Sequence, residues 1–124
     1  MSERKIKKKI LVVDDDPSIL DSLQIILEDE GYKVISLLRA DRIYKEIRLH
    51  KPSLILLDVW FPDGIDGAQI TRFLKTQEEC KHIPVILISA ISNIEKVLEN
   101  SYADDFLAKP FEIDDVIDRV KKYI

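Results

Sequence analysis

Six residues able to do chemistry stand directly after short apolar runs of the chain. Asp14, Asp15 and Asp16 follow Lys9–Val13, Asp58 follows residues 54–57, Ser89 follows residues 84–88, and Lys109 follows Asp105–Ala108 with Pro110 next to it. Carboxylates gathered in one place repel one another and call for a cation. Ligation by oxygen, without His or Cys, favours a hard ion, Mg²⁺ or Mn²⁺. Mg²⁺ takes only a few carboxylates and leaves positions for a phosphoryl oxygen. A lysine and a hydroxyl suit further phosphoryl oxygens, the lysine as a compact cation. One carboxylate can itself be the nucleophile and become an aspartyl phosphate, with metal and lysine stabilising the charge on the transferring group. Taken singly, each residue has a plainer role: an Asp or Ser caps a helix, and a lysine is a surface charge. Their conjunction at four separate run ends carries the chemical reading.

These segments meet only if the runs lie side by side. Lys9–Val13 reads as a buried strand, short and rich in β-branched residues. Pro17 suits a first helical turn with Asp16 as its N-cap, and Ile19, Leu20, Leu23, Ile26 and Leu27 share one helical face. Gly31 closes that helix as a C′ glycine. Residues 32–37 read as a second strand, 41–50 as a helix ended by Pro52, and 54–57 as a strand apolar at every position, as in a sheet covered on both faces. A turn-rich loop from Asp58 to Gly67 leads into a helix over residues 67–80, with Ile70, Phe73 and Leu74 as its stripe. Residues 84–88 form a fourth strand, 92–101 a short, weak helix, and Asp105–Ala108 a fifth strand. The last helix covers Ile113–Tyr123, with Ile113, Val116, Ile117, Val120 and Ile124 on one face. Strict alternation predicts a parallel sheet with right-handed crossovers and helices on both faces. In such sheets ligands bind beyond the carboxyl ends of the strands, where the six residues sit.

Composition narrows the classes. A chain of 124 residues suits one domain with a real core, and at 46% hydrophobic it is too apolar for a disordered segment. No apolar run approaches a membrane span, and the start of the chain has no secretory signal pattern. The single cysteine, Cys80, and two histidines argue for a soluble protein of a reducing compartment, without a disulfide or a metal cage. Three glycines are too few for a glycine-rich nucleotide loop. Residues 1–10 carry Arg4, Lys5, Lys7, Lys8 and Lys9 against Glu3, so the remainder is more acidic than the net charge of −4 suggests. That arm fits a solvated flank better than a nucleic-acid contact, because no aromatic residue interleaves the lysines.

The chain resembles the receiver domain of two-component response regulators. The residues that carry the resemblance are Leu11-Val-Val-Asp-Asp-Asp-Pro17, Leu56-Leu-Asp-Val59, Pro62 with Asp66-Gly67, Val85-Ile-Leu-Ile-Ser-Ala90, and Asp105-Phe-Leu-Ala-Lys-Pro-Phe111. The resemblance covers residues 7–124, after a basic flank at 1–6. It implies a flavodoxin-like (CheY-like), doubly wound α/β fold: a five-stranded parallel sheet of order 2-1-3-4-5 with five helices, the fourth short or irregular. It implies Asp58 as phospho-acceptor and Asp15 as direct Mg²⁺ ligand. Asp14 acts mainly through metal-bound water and site charge, and the Trp60 backbone carbonyl is the remaining protein ligand. Ser89 is the switch hydroxyl, Lys109 the lysine that pairs with the phosphoryl group, Lys109–Pro110 a cis peptide bond, and Phe106 the aromatic residue whose rotamer follows Ser89.

Three departures from the family pattern stand out. The loop after Asp58 is one residue longer, with Asp63-Gly64 before Ile65-Asp66-Gly67. The interval from Ser89 to Lys109 is two residues short, and Tyr102 stands where a glycine usually precedes the fifth strand. Trp60 and Ile91 are bulky and apolar at positions that govern access of water, and they predict a long-lived phosphoryl group behind a hydrophobic lid. Elsewhere, His50 and His82 read as loop residues and Cys80 as a packed thiol. Ser18, Ser22 and Ile25 lie off the core stripe of the first helix, where Ile25 fits either a partner contact or packing against the last helix.

The function expected is a cytoplasmic signalling module, not an enzyme in its own right. It takes a phosphoryl group from a histidine kinase or phosphotransfer protein onto Asp58 and switches the surface of its fourth helix, fifth strand and fifth helix for a downstream protein partner or a second copy. No direct nucleic-acid or membrane contact is expected. The alternatives are a phosphorylation-independent adaptor of the same fold and a haloacid-dehalogenase-type phosphohydrolase, for which Asp14-Asp-Asp16-Pro-Ser18 reads as D-x-D-x-S. With the last helix closing the sequence, output is expected to pass through a surface rather than an attached domain.

Overall fold

The computed structural model describes residues 6–90 and 99–124. Five strands, β1 (Lys9–Val13), β2 (Lys33–Leu37), β3 (Leu54–Asp58), β4 (Val85–Ser89) and β5 (Asp105–Ala108), form one sheet in the order β2-β1-β3-β4-β5. Every pairing is parallel, with Val12 opposite Leu56, Leu57 opposite Leu87, and Leu87 opposite Phe106. The sheet order and the flavodoxin-like class are those expected from the sequence.

Successive strand residues point to opposite faces. Ile10, Val12, Leu54, Leu56, Ile86 and Ile88 face one side. There they meet α1 (Pro17–Asp29), through Leu20, Leu23 and Leu27, and the C-terminal helix (Ile113–Tyr123), through Val116 and Val120. Leu11, Val13, Ile55, Leu57, Val85 and Leu87 face the other side. There they meet α2 (Ile43–His50), through Ile43 and Ile47, and α3 (Gly67–Leu74), through Ala68 and Leu74. Apolar residues at both parities explain why β3 and β4 are buried at every position. Each large side chain buried this way contributes roughly 2 kcal/mol.

Local signals set most helix ends. Pro17 opens α1, Asp16 caps it by accepting from the Ser18 N–H, and Gly31, at φ +94°, lets the chain leave. At the end of α2 the left-handed position falls on Lys51, a non-glycine residue at φ 49°. Helix α3 departs from expectation and stops at Leu74 rather than near residue 80. Lys75 follows it, and its Nζ reaches the Ile83 carbonyl and Asp104 Oδ2, each at 2.8 Å, contacts that pull the chain out of the helix toward β4. Two members of the expected apolar stripes, Phe73 and Ile113, are more than or about half exposed. The short helix expected over residues 92–101 is seen only at 99–101, which are helical; residues 92–98, like the basic residues 1–5, lie outside those described.

Candidate functional site

The carboxyl ends of β1, β3, β4 and β5 lie side by side, so the six residues singled out above occupy one end of the sheet. Asp14 ends β1 fully buried. Its Oδ1 accepts from the Asp16 N–H at 2.9 Å, and its Oδ2 pairs with Lys109 Nζ at 2.8 Å. Oδ1 is thus hydrogen-bonded, whereas Oδ2 is ion-paired but has no hydrogen-bond partner among the described residues. Asp15 is exposed, and Asp16 is committed to the helix cap, its Oδ1 2.9 Å from the Ser18 N–H. Asp58 ends β3 and is 6% exposed; its Oδ1 accepts from the Val59 N–H at 2.9 Å and lies 3.5 Å from Lys109 Nζ. Carboxylate oxygens of Asp14, Asp15 and Asp58 all lie within 4.8 Å of one another.

The electrostatics follow from that crowding. Burial raises the Asp58 carboxyl to about 6, helped by the charge of Asp14 and a hydrogen bond with Asp15, and opposed by Lys109 and the Val59 N–H. For Lys109, burial works against the ammonium, but Asp14 and Asp58 outweigh it and its pKa is raised. Three carboxylates around a single ammonium leave the cluster short of positive charge, and a hard divalent cation matches the deficit. Asp14, Asp15 and Asp58 each have a carboxylate oxygen placed for such an ion, Asp15 the most exposed of the three.

The loop after Asp58 supplies one more oxygen. Trp60 and Asp66 form an isolated antiparallel bridge, held by Gly67 N–H to Val59 O at 2.6 Å and Phe61 N–H to Ile65 O at 3.2 Å. In that pattern the two bonds flank the bridged pair, so the N–H and C=O of Trp60 turn outward. Among the described residues no backbone N–H bonds the Trp60 carbonyl. The loop closes in a tight turn, Gly64 N–H to Phe61 O at 3.1 Å, with Gly64 at φ +85° and the Asp63 carboxylate accepting from the Ile65 N–H. Phe61 anchors the turn in the core, 7% exposed.

The sequence had not singled out the role of Gly67. A Cβ there would overlap the Asp58 carbonyl oxygen and lie 3.0 Å from Val59 Cα. The first turn of α3, capped by Asp66 through the Ala68 N–H at 2.8 Å, is therefore pressed directly onto the Asp58 backbone. The sequence signal was Asp-Gly at a helix start, where Asp alone would have sufficed.

Ser89 ends β4, buried, and its carbonyl accepts from the Lys109 N–H at 2.9 Å, which ties the hydroxyl-bearing and lysine-bearing strand ends together. The Lys109–Pro110 bond is cis, as expected. Phe106 packs against the α2–α3 side of the core, and Arg119 of the C-terminal helix lies over its ring at 5.6 Å while pairing with Asp105 at 2.7 Å. That contact spans fourteen residues and has no local signature in the sequence. Ile91, one half of the expected lid, lies outside the described residues; Trp60, the other half, is 55% exposed.

The residues set aside stay outside this cluster. His50 pairs with Glu46 at 3.1 Å, and His82 lies before β4, at the opposite end of the strands. Cys80 is buried, donates to the Leu74 carbonyl, and has its pKa raised chiefly by burial, all unfavourable to a nucleophile. Ile25 is 70% exposed, so it does not pack on the C-terminal helix.

Comparison with known proteins now decides the family. Residues 10–121 match the family described as response regulator receiver domain. The chain is a response regulator receiver domain. It is 33% identical over 118 residues to the DNA-binding dual master transcriptional regulator RpaA of Synechocystis, covering 91% of this chain and 47% of that protein. It is 38% identical over 111 residues to the nitrogen assimilation regulatory protein NtrX of Azorhizobium caulinodans, covering 87% and 24%. The receiver thus spans half or less of those relatives, whereas it covers 96% of the polar-differentiation response regulator DivK of Brucella anthropi, at 27% identity and 94% of this chain. A solved putative response regulator from Chloroflexus aurantiacus superposes with a TM-score of 0.88 at 28% identity, over 95% of this chain and 98% of that one. The Vibrio cholerae chemotaxis protein CheY4 shares the fold, with a TM-score of 0.87 at 22% identity, over 96% and 100%. Among the described residues no helix is long and apolar enough to cross a membrane.

Proposed function

We propose that this receiver accepts a phosphoryl group on Asp58 from a phosphohistidine of a histidine kinase or phosphotransfer protein, with Mg²⁺ or Mn²⁺ held by Asp15, Asp58 and the Trp60 carbonyl. The observation that carries it is the convergence of three carboxylates and Lys109 on one strand end. The cation neutralises charge on the transferring group. An Asp58 oxygen forms the new bond to phosphorus as the phosphorus–nitrogen bond of the donor breaks, and the leaving imidazole takes up a proton. Lys109 turns from the carboxylates toward the phosphoryl oxygens, and the Ser89 hydroxyl bonds another. Asp14 pairs with Lys109 and adds site charge, acting mainly through metal-bound water rather than as a direct ligand.

Movement of Ser89 toward the phosphoryl group shifts Phe106, and with it the face built on β5 and the C-terminal helix, toward the state a downstream protein or a second copy recognises. The donor protein docks beside α1, where Ser18, Ser22 and Ile25 are exposed; Ser22→Glu slows transfer from a cognate kinase if it does. Trp60 shields the aspartyl phosphate, so Trp60→Asn shortens its lifetime, and an unchanged dephosphorylation rate refutes the shield. The work is done in the cytoplasm, where kinase and donor are available. The phosphohydrolase reading loses its second aspartate, because Asp16 caps α1.

Intact mass after incubation with Mg²⁺ and a small phosphodonor tests the proposal. Wild type gains one phosphoryl unit and Asp58→Asn gains none. No gain in wild type, or an equal gain in the variant, overturns it.

A further inference from the structure

A separate feature lies at the far end of the sheet from Asp58. The end of α2 and the segment leading into β4 enclose a cavity of about 340 Å³. Its floor is apolar, formed by Ile47, Pro52 and Ile83, all buried. Its rim carries three basic side chains, Arg48, Lys51 and His82. None of the three has a salt bridge or a side-chain hydrogen bond among the described residues; Arg48 stacks on the Tyr44 ring at 5.8 Å, and its charge acts at longer range on Glu79. The one acid on the wall, Glu79, already accepts the Tyr44 hydroxyl at 2.8 Å. Tyr44 in turn meets Phe73 edge-on at 5.7 Å, bracing this wall of the cavity.

We propose that this cavity binds a small organic carboxylate, its apolar body on the Ile47, Pro52 and Ile83 floor and its carboxylate among Arg48, Lys51 and His82. The volume is that of a small-ligand site, and an apolar floor with a few convergent polar groups is the usual build of one. Cations near the end of a helix offset its dipole without any ligand. That role does not require them to share the rim of a cavity, nor does it account for His82, which is not on the helix. Lys51 adds a second point. It stands in the left-handed conformation, where glycine would be free of strain, and it keeps a long cationic side chain at the rim there. The inference is independent of phosphoryl chemistry at the other end of the sheet.

The test is an amide chemical-shift titration of the full, ¹⁵N-labelled chain with benzoate, and with benzylamine as a cation of matching shape. Benzoate is expected to give saturable shifts at residues 47–51 and 82–83 with a roughly millimolar dissociation constant, and benzylamine none there. Lys51→Gly removes the charge while relieving the backbone, so it keeps the fold and weakens benzoate about threefold to fivefold, the size of one exposed charge contact. Arg48→Gln weakens it similarly, and Lys45→Gln, elsewhere on α2, leaves it unchanged. The proposal is overturned by non-saturating shifts, by equal binding of benzylamine, by shifts confined to the lysines at 7–9 or to Asp58, or by undiminished affinity in Lys51→Gly.

Discussion

Replacing Gly67 by alanine probes how the acceptor is held. The added Cβ would overlap the Asp58 carbonyl oxygen and crowd Val59 Cα at 3.0 Å, both of them backbone atoms that cannot rotate aside. Either α3 or the Asp58–Val59 backbone must retreat by at least about 1 Å to restore ordinary contact. Overpacking of this kind costs roughly 1–3 kcal/mol. The 2.6 Å bond from the Gly67 N–H to the Val59 carbonyl is strained or lost as well, at about 1 kcal/mol. Alanine's better helix propensity returns at most about 1 kcal/mol. The net loss is about 1–3 kcal/mol, or about 4–12 °C in melting temperature for a domain of this size. Gly64→Ala is the comparison: its φ of +85° is strained for alanine, but nothing lies within 4 Å, so it costs about 1 kcal/mol. Thermal unfolding followed by circular dichroism ranks the two. Phosphorylation followed by intact mass adds a second reading, because the retreat displaces Asp58 itself and slows Gly67→Ala more than its lost stability accounts for. A Gly67→Ala melting point within about 2 °C of wild type, or one above that of Gly64→Ala, refutes the reasoning.

Other outcomes follow from the same cluster. Asp58 titrates at about 6 in the fold against 3.8 in the free side chain, so the fold holds its proton more tightly. Its ionisation therefore weakens the metal-free protein as pH rises through that window, and the penalty is absent below about pH 4. Asp58→Asn is expected to stabilise the metal-free protein by about 2 kcal/mol at pH 8 and by nothing near pH 4, measured by denaturant titration in a chelator; a flat difference across pH contradicts this. Lys109→Met strands Asp14, which is fully buried, and costs about 3 kcal/mol without metal. Added Mg²⁺ should recover more stability in that variant than in wild type, and equal gains would count against a shared charge balance. Tyr102 sits at φ 64°, so Tyr102→Gly should gain about 1 kcal/mol, and a loss on chemical denaturation would show that its side chain matters more than its backbone.

The sheet order and the strand ends were legible because they rest on local patterns: apolar runs of strand length, Pro17 after an aspartate, Gly31 at a helix end. The meeting of Asp14, Asp15, Asp58 and Lys109 was legible for the same reason, since topology alone brings strand ends together. What escaped the sequence depends on contacts between distant residues. Lys75 ends α3 by reaching Asp104, twenty-nine positions away, and no helical periodicity announces that. The stripe through Ile113 is real, yet periodicity cannot say which member overhangs the sheet and stays exposed. The loop after Asp58 reads as longer than the family pattern, and the structure shows a four-residue turn around Gly64 that leaves the Trp60 carbonyl turned outward. Tyr102, read as a missing glycine, adopts the glycine's backbone conformation anyway.

The exposed ring of Trp60 has an optical consequence. It is the only tryptophan in the chain, it stands two residues after Asp58, and its own carbonyl turns outward from the loop. Excited selectively over the four tyrosines, its emission comes from a single place in the molecule, the rim of the acceptor site. On the proposed function, a cation and then a phosphoryl group would each change the field and the solvent around one indole, and the unlabelled protein would carry its own fluorescent gauge of both events.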